Sequence, residues 1–392
     1  MLLTIDFGTS NSCASLVVDG KVRLIKEPVK QTYSFPSSLY LDESEQFIIG
    51  HLAESKKFKN ITRYRNQIKK DLIKTQPYLL GKNAQYQFTA QELITEIIKN
   101  LKDEGEKVTK ALGQQLIRDV IITIPATYRQ NKRMVMEQIA LNAGFTSVEL
   151  IEEPVAAATY YHSLHTDTFH VGDIILIYDL GGGTFDATVI KKLGKGFQIL
   201  GQPVGLANCG GTNFDRAIFQ NLISNCSDEL REKLSVRGNT PEKNSLLDFC
   251  RQIKHQFSGS TEAFGHIPLN YEPYELSRDE FNNAIASDIE RTIICCEDLI
   301  KSQNLELSDI SKVLMVGGSC RLPYIKETVG SRLESSVLLM DDPELAVCRG
   351  AIMKDLVTLK NEPDDEILHG NLTPEMPQSC SKLDCNDVFT WF

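Results

Sequence analysis

Two short turns in the chain combine glycine, hydroxyl and carboxylate residues, the types that bind phosphate and a divalent cation. Both follow apolar runs, and their sequences are Asp6-Phe7-Gly8-Thr9-Ser10-Asn11 and Asp179-Leu180-Gly181-Gly182-Gly183-Thr184-Phe185-Asp186. Backbone N–H groups in such turns can face phosphate oxygens because glycine has no Cβ, and the hydroxyls add donors. The carboxylates of Asp6, Asp179 and Asp186 could hold Mg²⁺, chiefly through its water molecules. A lone glycine run is more often only a tight turn, but the repetition favours a phosphate and Mg²⁺ site.

A basic segment could supply positive charge to this site. Residues 56–70 contain no acid, and their basic residues are Lys56, Lys57, Lys59, Arg63, Arg65, Lys69 and Lys70. Most of these charges fit a solvated surface. At least one of them could reach a γ-phosphate, where a fixed cation stabilises the charge that develops during transfer.

A second basic feature lies in residues 244–258, which are predicted to form a helix. Its apolar stripe consists of Leu246, Cys250, Ile253 and Phe257, and its polar stripe of Arg251, Lys254, His255 and Ser258. This spacing is typical of an amphipathic helix. The polar stripe could contact a base and ribose, although such stripes are more often ordinary surface.

Other signatures of nucleotide, hydrolase and metal sites are missing. No Gly-x4-Gly-Lys-Ser/Thr occurs, and Asp186 stands where a Rossmann fingerprint needs glycine. Neither a Gly-x-Ser-x-Gly elbow nor a His-Glu-x2-His helix is present. His162, His165 and His170 have a loop-like setting, but their spacing fits no standard helical pair of metal ligands. Phosphoryl chemistry therefore remains the favoured class.

The elements that must position these residues alternate between strand and helix, which favours a layered α/β architecture. Asp6 and Asp179 each end an apolar strand, and their separation indicates duplication on the scale of a domain. Capping boxes at Thr89 and Ser277 predict helix starts. Another predicted helix ends at Gly144.

Composition limits the class of protein. The 392 residues predict two or three folded units, and the net charge of -10 argues against nonspecific binding to nucleic acid or an anionic membrane. The ten cysteines form no Cys-x2-Cys pair and resemble reduced core thiols. No secretory signal or membrane-spanning run is recognisable. We expect a cytoplasmic protein without a membrane span.

Four motifs together resemble the ATPase domain of the 70-kDa heat-shock protein family, the DnaK-like chaperones. They are the two turns described above, Ile151-Glu152-Glu153-Pro154-Val155-Ala156-Ala157-Ala158, and Val316-Gly317-Gly318-Ser319-Cys320-Arg321-Leu322-Pro323. The resemblance covers about residues 1 to 356. It implies the actin-like ATPase fold, in which two duplicated lobes with ribonuclease H-like cores surround a nucleotide cleft.

The resemblance also implies domain limits. The first lobe is 1–171, with a core of 1–35 and 91–171 and a peripheral subdomain of 36–90. The second lobe is 172–360, with a core of 172–208 and 286–360 and a peripheral subdomain of 209–285. A largely flexible tail is expected over 361–392.

Residue roles follow from the resemblance at matching positions. Asp6, Asp179 and Asp186 would lie around Mg²⁺ and the attacking water, and Gly8, Thr9, Ser10, Asn11, Gly181, Gly182, Gly183 and Thr184 on the phosphates of ATP or ADP. Glu153 would lie near metal and water, and Lys69 would be the γ-phosphate lysine, with Lys70 as the alternative. Pro125 and Arg133 resemble a proline switch and its arginine partner.

The adenosine site is implied in the same way. Its residues would be Lys254, His255, Ser258, Gly317, Gly318, Ser319, Arg321 and Glu344, with Gly210 and Gly211 lining the cleft. The chain departs from the family at Arg251, where a ribose-binding acid is usual, at His255, where an arginine is usual, and at Cys320, where a threonine is usual. A neutral imidazole can stack on adenine but lacks a permanent cation, so we expect weaker nucleotide binding.

The family continues into a peptide-binding domain that about 40 residues after Ile352 are too few to form. We therefore expect a slow Mg²⁺-dependent ATPase domain, with a J-domain co-chaperone and a nucleotide exchange factor as possible partners. One alternative is a nucleotide-dependent scaffold that binds co-chaperones without refolding clients. A weaker one is a sugar kinase or filament-forming protein of the same superfamily.

Overall fold

The structure, a computed structural model, describes residues 1–18, 21–113, 116–235, 240–340 and 342–359. The strands of the first half are β1 (Leu2–Phe7), β2 (Asn11–Val18), β3 (Lys21–Leu24), β4 (Phe35–Pro36), β5 (Ser38–Leu41), β6 (Phe47–Ile49), β7 (Tyr64–Asn66), β8 (Tyr78–Leu80), β9 (Tyr86–Phe88), β10 (Asp119–Ile124) and β11 (Ser147–Glu152). Its helices are α1 (His51–Lys56), α2 (Ala90–Ala111), α3 (Gln130–Asn142) and α4 (Glu153–Leu164).

The second half continues the alternation. Its strands are β12 (Ile174–Leu180), β13 (Thr184–Lys192), β14 (Phe197–Ala207), β15 (Glu262–His266), β16 (Pro273–Ser277), β17 (Ile310–Val316) and β18 (Val337–Leu339). Its helices are α5 (Gly211–Asn225), α6 (Asp228–Ser235), α7 (Thr240–Gln256), α8 (Arg278–Ser302), α9 (Pro323–Arg332) and α10 (Pro343–Leu359).

Two mixed sheets have the same strand order. The first is β11-β10-β1-β2-β3, with β4 attached to β2, and the second is β14-β13-β12-β17-β18. In each sheet, the three strands that come first in the chain are antiparallel neighbours, and the two later strands extend the sheet in parallel. The predicted α/β class is confirmed, and the predicted repetition is visible as a repeated topology.

The strands that carry the two turns lie in the centre of their sheets. Most residues of β1 and β12 are buried, as expected for strands covered on both faces. Asp6 and Asp179 are each the penultimate residue of their strand. Each sheet therefore delivers a carboxylate and a glycine turn at the same end of its central strand.

Helices α4 and α10 pack against each other between the two sheets. Their small residues make this contact close, because a Cβ on Gly350 would overlap the carbonyl oxygen of Ala156. Ala156, Ala157 and Ala158 are buried in one apolar cluster with Ile121 of the first sheet and Leu314 of the second. The alanine run thus allows the close packing that joins the two halves.

Local signals in the sequence agree with the helix boundaries. Thr89 and Ser277 each form a capping box, with Glu92 and Glu280 respectively. Gly144 follows α3 with a φ of 88°, a left-handed conformation that favours glycine. His162 lies within α4, so the expectation of a loop-like setting was wrong for that residue.

Smaller sheets and helices flank the two large sheets. Strands β6-β5-β7 form one sheet, and β8-β9 and β15-β16 form hairpins. The proposed limits of lobes and subdomains stay a prediction. β2 and β3 pair as expected, while Asp19 and Gly20 of the predicted hairpin turn and the tail at 361–392 lie outside the described residues.

Candidate functional site

A cavity of about 1220 Å³ opens at the ends of β1 and β12. The predicted site residues that line it are Asp6, Gly8, Thr9, Ser10, Asn11, Lys69, Glu153, Asp179, Gly181, Gly182, Gly183, Thr184, Asp186, Gly211, Lys254, His255, Ser258, Gly317, Gly318, Ser319 and Arg321. Gly210 packs behind the lining, where its Cβ position lies 2.8 Å from the Gly181 carbonyl oxygen. The side chain of Glu344 lies outside the described residues.

The two glycine turns contact each other across this cavity. A Cβ on Gly182 would overlap the Ser10 hydroxyl oxygen, and a Cβ on Gly183 would lie 3.3 Å from the Thr9 methyl carbon. The Gly182 carbonyl accepts hydrogen bonds from the Thr212 N–H at 2.7 Å and its hydroxyl at 2.8 Å. Backbone donors and hydroxyls from both halves therefore converge on one small volume, which suits a polyphosphate.

Three partly buried aspartates lie beside these turns. Thr123 Oγ1 donates to Asp6 Oδ1 at 2.7 Å, and Thr127 Oγ1 donates to Asp186 Oδ1 at 3.2 Å. Burial, followed by the charge of Glu153, raises the pKa of Asp6 and that of Asp186 to about 6. Burial and the neighbouring carboxylates also raise the pKa of Asp179. Such a group of crowded carboxylates fits a divalent cation, which would offset their mutual repulsion.

Lys69 is a buried cation that lies beside these three aspartates. It lies in the 3-10 helix Ile68–Asp71, and its Nζ donates to Glu153 Oε1 at 2.9 Å. Burial alone would lower the pKa of Lys69, but Glu153, Tyr128 and Asp6 together raise it above its ordinary value. Lys69 is therefore held in the charged form inside the cavity.

Lys70 reaches the same cavity by a different route. A Cβ on Gly183 would lie 3.0 Å from Lys70 Nζ, so this ammonium sits against the second phosphate turn. Burial lowers its pKa, and Arg216 lowers it further. Both candidate lysines thus line the cavity, one paired with Glu153 and the other beside Gly183.

The rest of the basic segment has structural partners. The Arg63 guanidinium donates to the carbonyl oxygens of Leu41 and Asp42, and Arg65 donates to backbone carbonyls of its own region. Lys57 Nζ lies 2.6 Å from Asp248 Oδ2 of α7, which joins two elements that flank the cavity. The expectation that most of these charges form a solvated surface was wrong, because only Lys59 and Lys70 of the seven basic residues are exposed.

The polar stripe of α7 lines the cavity and contacts α5. Lys254 Nζ lies 2.7 Å from Asp215 Oδ1 and donates to the Gly211 carbonyl at 3.0 Å. Burial lowers the pKa of Lys254, against the opposing effect of Asp215. A Cβ on Gly211 would lie 3.0 Å from both Lys254 Nζ and Ser319 Oγ, so a side chain there would crowd both groups. Arg251 Nε is 3.8 Å from Asp215 Oδ2.

Two of the three departures from the family lie on the cavity wall. Arg251 and His255 line it, but Cys320 does not. The Cys320 thiol is buried and donates to the Val316 carbonyl at 2.9 Å. Cys320 therefore does not face the cavity.

Several polar residues at the site were not predicted from the sequence. Among them are Thr123, Thr127, Tyr128 and Asp215. A threonine inside the apolar strand β10 was a usable signal for Thr123, because a buried hydroxyl needs a partner. Asp215 gave no such signal, since its partners lie on another helix.

The predicted switch pair lies beside the cavity. Pro125 follows β10 and lines the cavity, while the Arg133 guanidinium donates to the Tyr128 carbonyl at 3.0 Å and to Glu152 Oε1 at 2.7 Å. Glu152 directly precedes Glu153. Arg133 therefore connects α3 to the residue next to the Lys69 partner.

Within the residues that the structure describes, no three or more His, Cys, Asp or Glu side chains are grouped to hold a metal ion directly. That Asp6 and Asp179 hold Mg²⁺ mainly through water stays a prediction. Over the same residues, no helix has the length and apolar character needed to cross a bilayer.

The chain is similar to named chaperones. A family model described as Hsp70 protein matches residues 66–376. The chaperone protein HscA homolog of Histophilus somni (strain 129Pt) is 30% identical over 398 residues, covering 94% of this chain and 60% of the relative. The chaperone protein DnaK of Ureaplasma urealyticum serovar 10 is 31% identical over 382 residues, with coverage of 94% and 60%. The chain spans about 60% of the length of these relatives.

Proposed function

The chain belongs to the Hsp70 family, and we propose that it is a chaperone ATPase unit that binds ATP with Mg²⁺ and slowly hydrolyses it to ADP and phosphate. The actin-like fold expected from the sequence is the fold of this family's ATPase domain. The observation that carries the proposal is the contact of the Ser10 turn with the Gly182 turn at the floor of one cavity. A triphosphate bound there would be held by both halves of the chain at once.

The phosphate-binding role is supported by hydroxyl, glycine and lysine residues that line one part of the cavity. The turns that follow β1 and β12 would supply N–H groups and hydroxyls from Thr9, Ser10, Gly182 and Gly183. Lys70 adds an ammonium beside Gly183. Preorganised donors stabilise developing charge without rearrangement during the reaction. We assign Lys70 to nucleotide binding and keep Lys69 as the lysine of the chemical step.

The hydrolytic role rests on Lys69, Glu153 and Asp186. The Lys69 ammonium, kept charged by Glu153, would stabilise negative charge on the γ-phosphate as the bond to the β-phosphate oxygen breaks. Asp186 has a pKa of about 6, so it is mostly ionised at neutral pH and can accept a proton from the attacking water. Thr184, at the start of β13, would orient that water together with Asp186.

The Mg²⁺ role rests on Asp6 and Asp179. When bound, Mg²⁺ would neutralise phosphate charge and hold the triphosphate extended. Burial, followed by the charge of Glu153, raises the pKa of both carboxyls, and the hydrogen bond from Thr123 holds Asp6 in place. These residues therefore suit a hydrated divalent cation.

Chaperone action, partners and compartment belong to the same proposal. Because the relatives are named DnaK and HscA chaperones, a J-domain co-chaperone and a nucleotide exchange factor are the partners we propose. The cytoplasm is the compartment we propose, and the eight cysteines of the described ranges are free thiols, which suits a reducing environment.

The proposal is tested by nucleotide binding and single-turnover hydrolysis on the purified chain. ATP should bind with Mg²⁺, and phosphate should be released on a timescale slower than binding. Binding without phosphate release would favour the scaffold alternative. Absence of ATP binding with Mg²⁺ would overturn the proposal altogether.

A further inference from the structure

The hydroxyl of Tyr128 is a polar group on the wall of the nucleotide cavity that none of the roles proposed above uses. Tyr128 lines this cavity, and its side chain is only 8% exposed. Its Oη forms no hydrogen bond with any residue that the structure describes. The hydroxyl of Tyr40 also lacks a partner but is fully enclosed, whereas that of Tyr128 keeps some accessible surface. Because Tyr128 belongs to the cavity wall, this accessible donor borders the space that a ligand would fill.

The position of Tyr128 is fixed before any ligand binds. The Tyr128 N–H donates to the Pro125 carbonyl at 2.9 Å, and the Tyr128 carbonyl accepts from the Arg133 guanidinium at 3.0 Å. The ring packs into the same apolar cluster as Phe7 and Ile68. A hydroxyl on a ring held in this way can bind a ligand without rearrangement of the protein.

Two ammonium groups lie over the Tyr128 ring. The Nζ of Lys132 is 4.8 Å from the ring centroid, and that of Lys69 is 6.0 Å from it. Lys132 also lines the cavity, and its Nζ forms no ion pair with the part of the chain that the structure describes. An anionic group of a ligand is therefore favoured beside this ring.

The neighbours of Tyr128 indicate which part of ATP this anionic group would be. The preceding residue, Thr127, donates to Asp186 Oδ1 at 3.2 Å, and Lys69 lies beside the ring. In the function proposed above, Asp186 and Lys69 act at the attacking water and the γ-phosphate. The group beside Tyr128 would then be the terminal phosphate.

The protonation state of Tyr128 suits a donor. Burial raises the pKa of Tyr128, and the charge of Lys69 opposes this increase. The phenol is therefore protonated at neutral pH and has one O–H to donate. A phosphate oxygen could accept this hydrogen bond, and no bond within the protein would have to break for it to form.

We propose that Tyr128 Oη donates a hydrogen bond to an oxygen of the terminal phosphate of ATP, so that Tyr128 helps the site to distinguish ATP from ADP. This inference rests on the proposed ATP-binding function. ADP has no terminal phosphate, so the contact adds to the affinity for ATP alone. If the hydroxyl instead only positioned Asp186, the preference for ATP over ADP would not depend on it.

The test is the ratio of ATP affinity to ADP affinity, measured by calorimetry on the full chain with Mg²⁺. Tyr128→Phe keeps the ring and removes only the hydroxyl. ATP binding should weaken by about tenfold, because a hydrogen bond to a charged group is lost, while ADP binding should change by less than about twofold. The free energy of unfolding of the nucleotide-free chain should not fall, because the removed hydroxyl has no partner in the described residues.

The matched control is Tyr40→Phe, which removes a hydroxyl that also lacks a partner but lies away from this cavity. It should bind both nucleotides as the wild type does. An equal preference for ATP in the wild type and in Tyr128→Phe would overturn this inference alone, as would a parallel loss of ATP and ADP affinity or a less stable nucleotide-free fold. A wild-type chain that does not bind ATP with Mg²⁺ would overturn the proposed function as well.

Discussion

The Lys69 ammonium lies 2.9 Å from the Glu153 carboxylate oxygen Oε1, although 84 residues separate them in the chain. Both side chains are largely buried, so removing one partner leaves a charge that water cannot solvate well. Glu153 is the first residue of α4, so its carboxylate lies at the positive end of the helix dipole. The pair thus fixes a cation at the wall of the cavity.

Replacing Lys69 separates its role from that of Lys70. Lys69→Ala should lower single-turnover hydrolysis by about 100-fold or more, because one fixed donor to the reacting phosphate is lost. ATP affinity, measured by calorimetry, should fall much less. Lys70→Ala should show the reverse pattern, with weaker binding and a smaller effect on the rate of hydrolysis in the bound complex.

The control for this pair is Lys59→Ala, since Lys59 is exposed and bonded to Glu43 away from the cavity. It should change neither quantity. Unchanged hydrolysis in Lys69→Ala would move the catalytic role to Lys70 or remove it from this segment.

The raised pKa values of Asp6 and Asp186 predict how the stability of the fold depends on pH. The model-peptide pKa of an aspartate is 3.8, whereas Asp6 and Asp186 have a pKa of about 6 in the folded protein. Between these values the folded state binds protons that the unfolded state does not, so the free energy of unfolding rises as pH falls. For the nucleotide-free chain, the two groups should add roughly 1 to 2 kcal/mol between about pH 7.5 and about 5.5.

Urea unfolding at several pH values measures this effect. Asp6→Asn with Asp186→Asn should be more stable than the wild type at neutral pH and should show a flatter dependence on pH. A wild-type chain that loses stability over the same interval, with no difference in the variant, would contradict the assignment of raised pKa values to these two residues.

Much of the fold and the meeting of the two glycine turns was predictable because the signals are local and repeated. The strand, Asp and glycine pattern occurs around Asp6 and again around Asp179, and the capping residues Thr89 and Ser277 mark helix starts within a few positions. Such signals do not depend on where distant segments go. The roles of individual site residues remain predictions.

Long-range partners were not predictable in the same way. Asp215 lies on α5 and meets Lys254 of α7, and nothing in either segment reveals the other. Lys69 and Lys70 are adjacent in sequence, and only their different directions in the 3-10 helix give one of them Glu153 and the other Gly183. Cys320 matched a motif position, yet its side chain turns into the core.

Crowding at Gly182 predicts a loss of nucleotide affinity when a methyl group is added. In Gly182→Ala the new Cβ would meet the Ser10 hydroxyl, so the two phosphate turns must separate. ATP affinity should fall by about tenfold or more, because the donors of the two halves no longer converge. Gly194→Ala is the control, since nothing lies within 4 Å of its Cβ position, and it should bind ATP as the wild type does. Adding Ser10→Gly to Gly182→Ala should recover part of the affinity, and no recovery would argue against this contact as the cause.

A permanent cation in place of the His255 imidazole should strengthen nucleotide binding. His255 lies on the cavity wall, where an arginine could stack on a bound base. His255→Arg should increase ADP affinity by about two- to fivefold, because a cation over an aromatic ring contributes roughly 0.5 to 1 kcal/mol at an exposed site. Cys320→Thr is the comparison from the same set of family departures, and it should leave affinity unchanged because Cys320 faces the Val316 carbonyl in the core. Calorimetric titration with ADP measures the affinity of both variants. A higher affinity in Cys320→Thr, without one in His255→Arg, would contradict the prediction. It would show that the core, and not the wall beside the base, limits nucleotide binding.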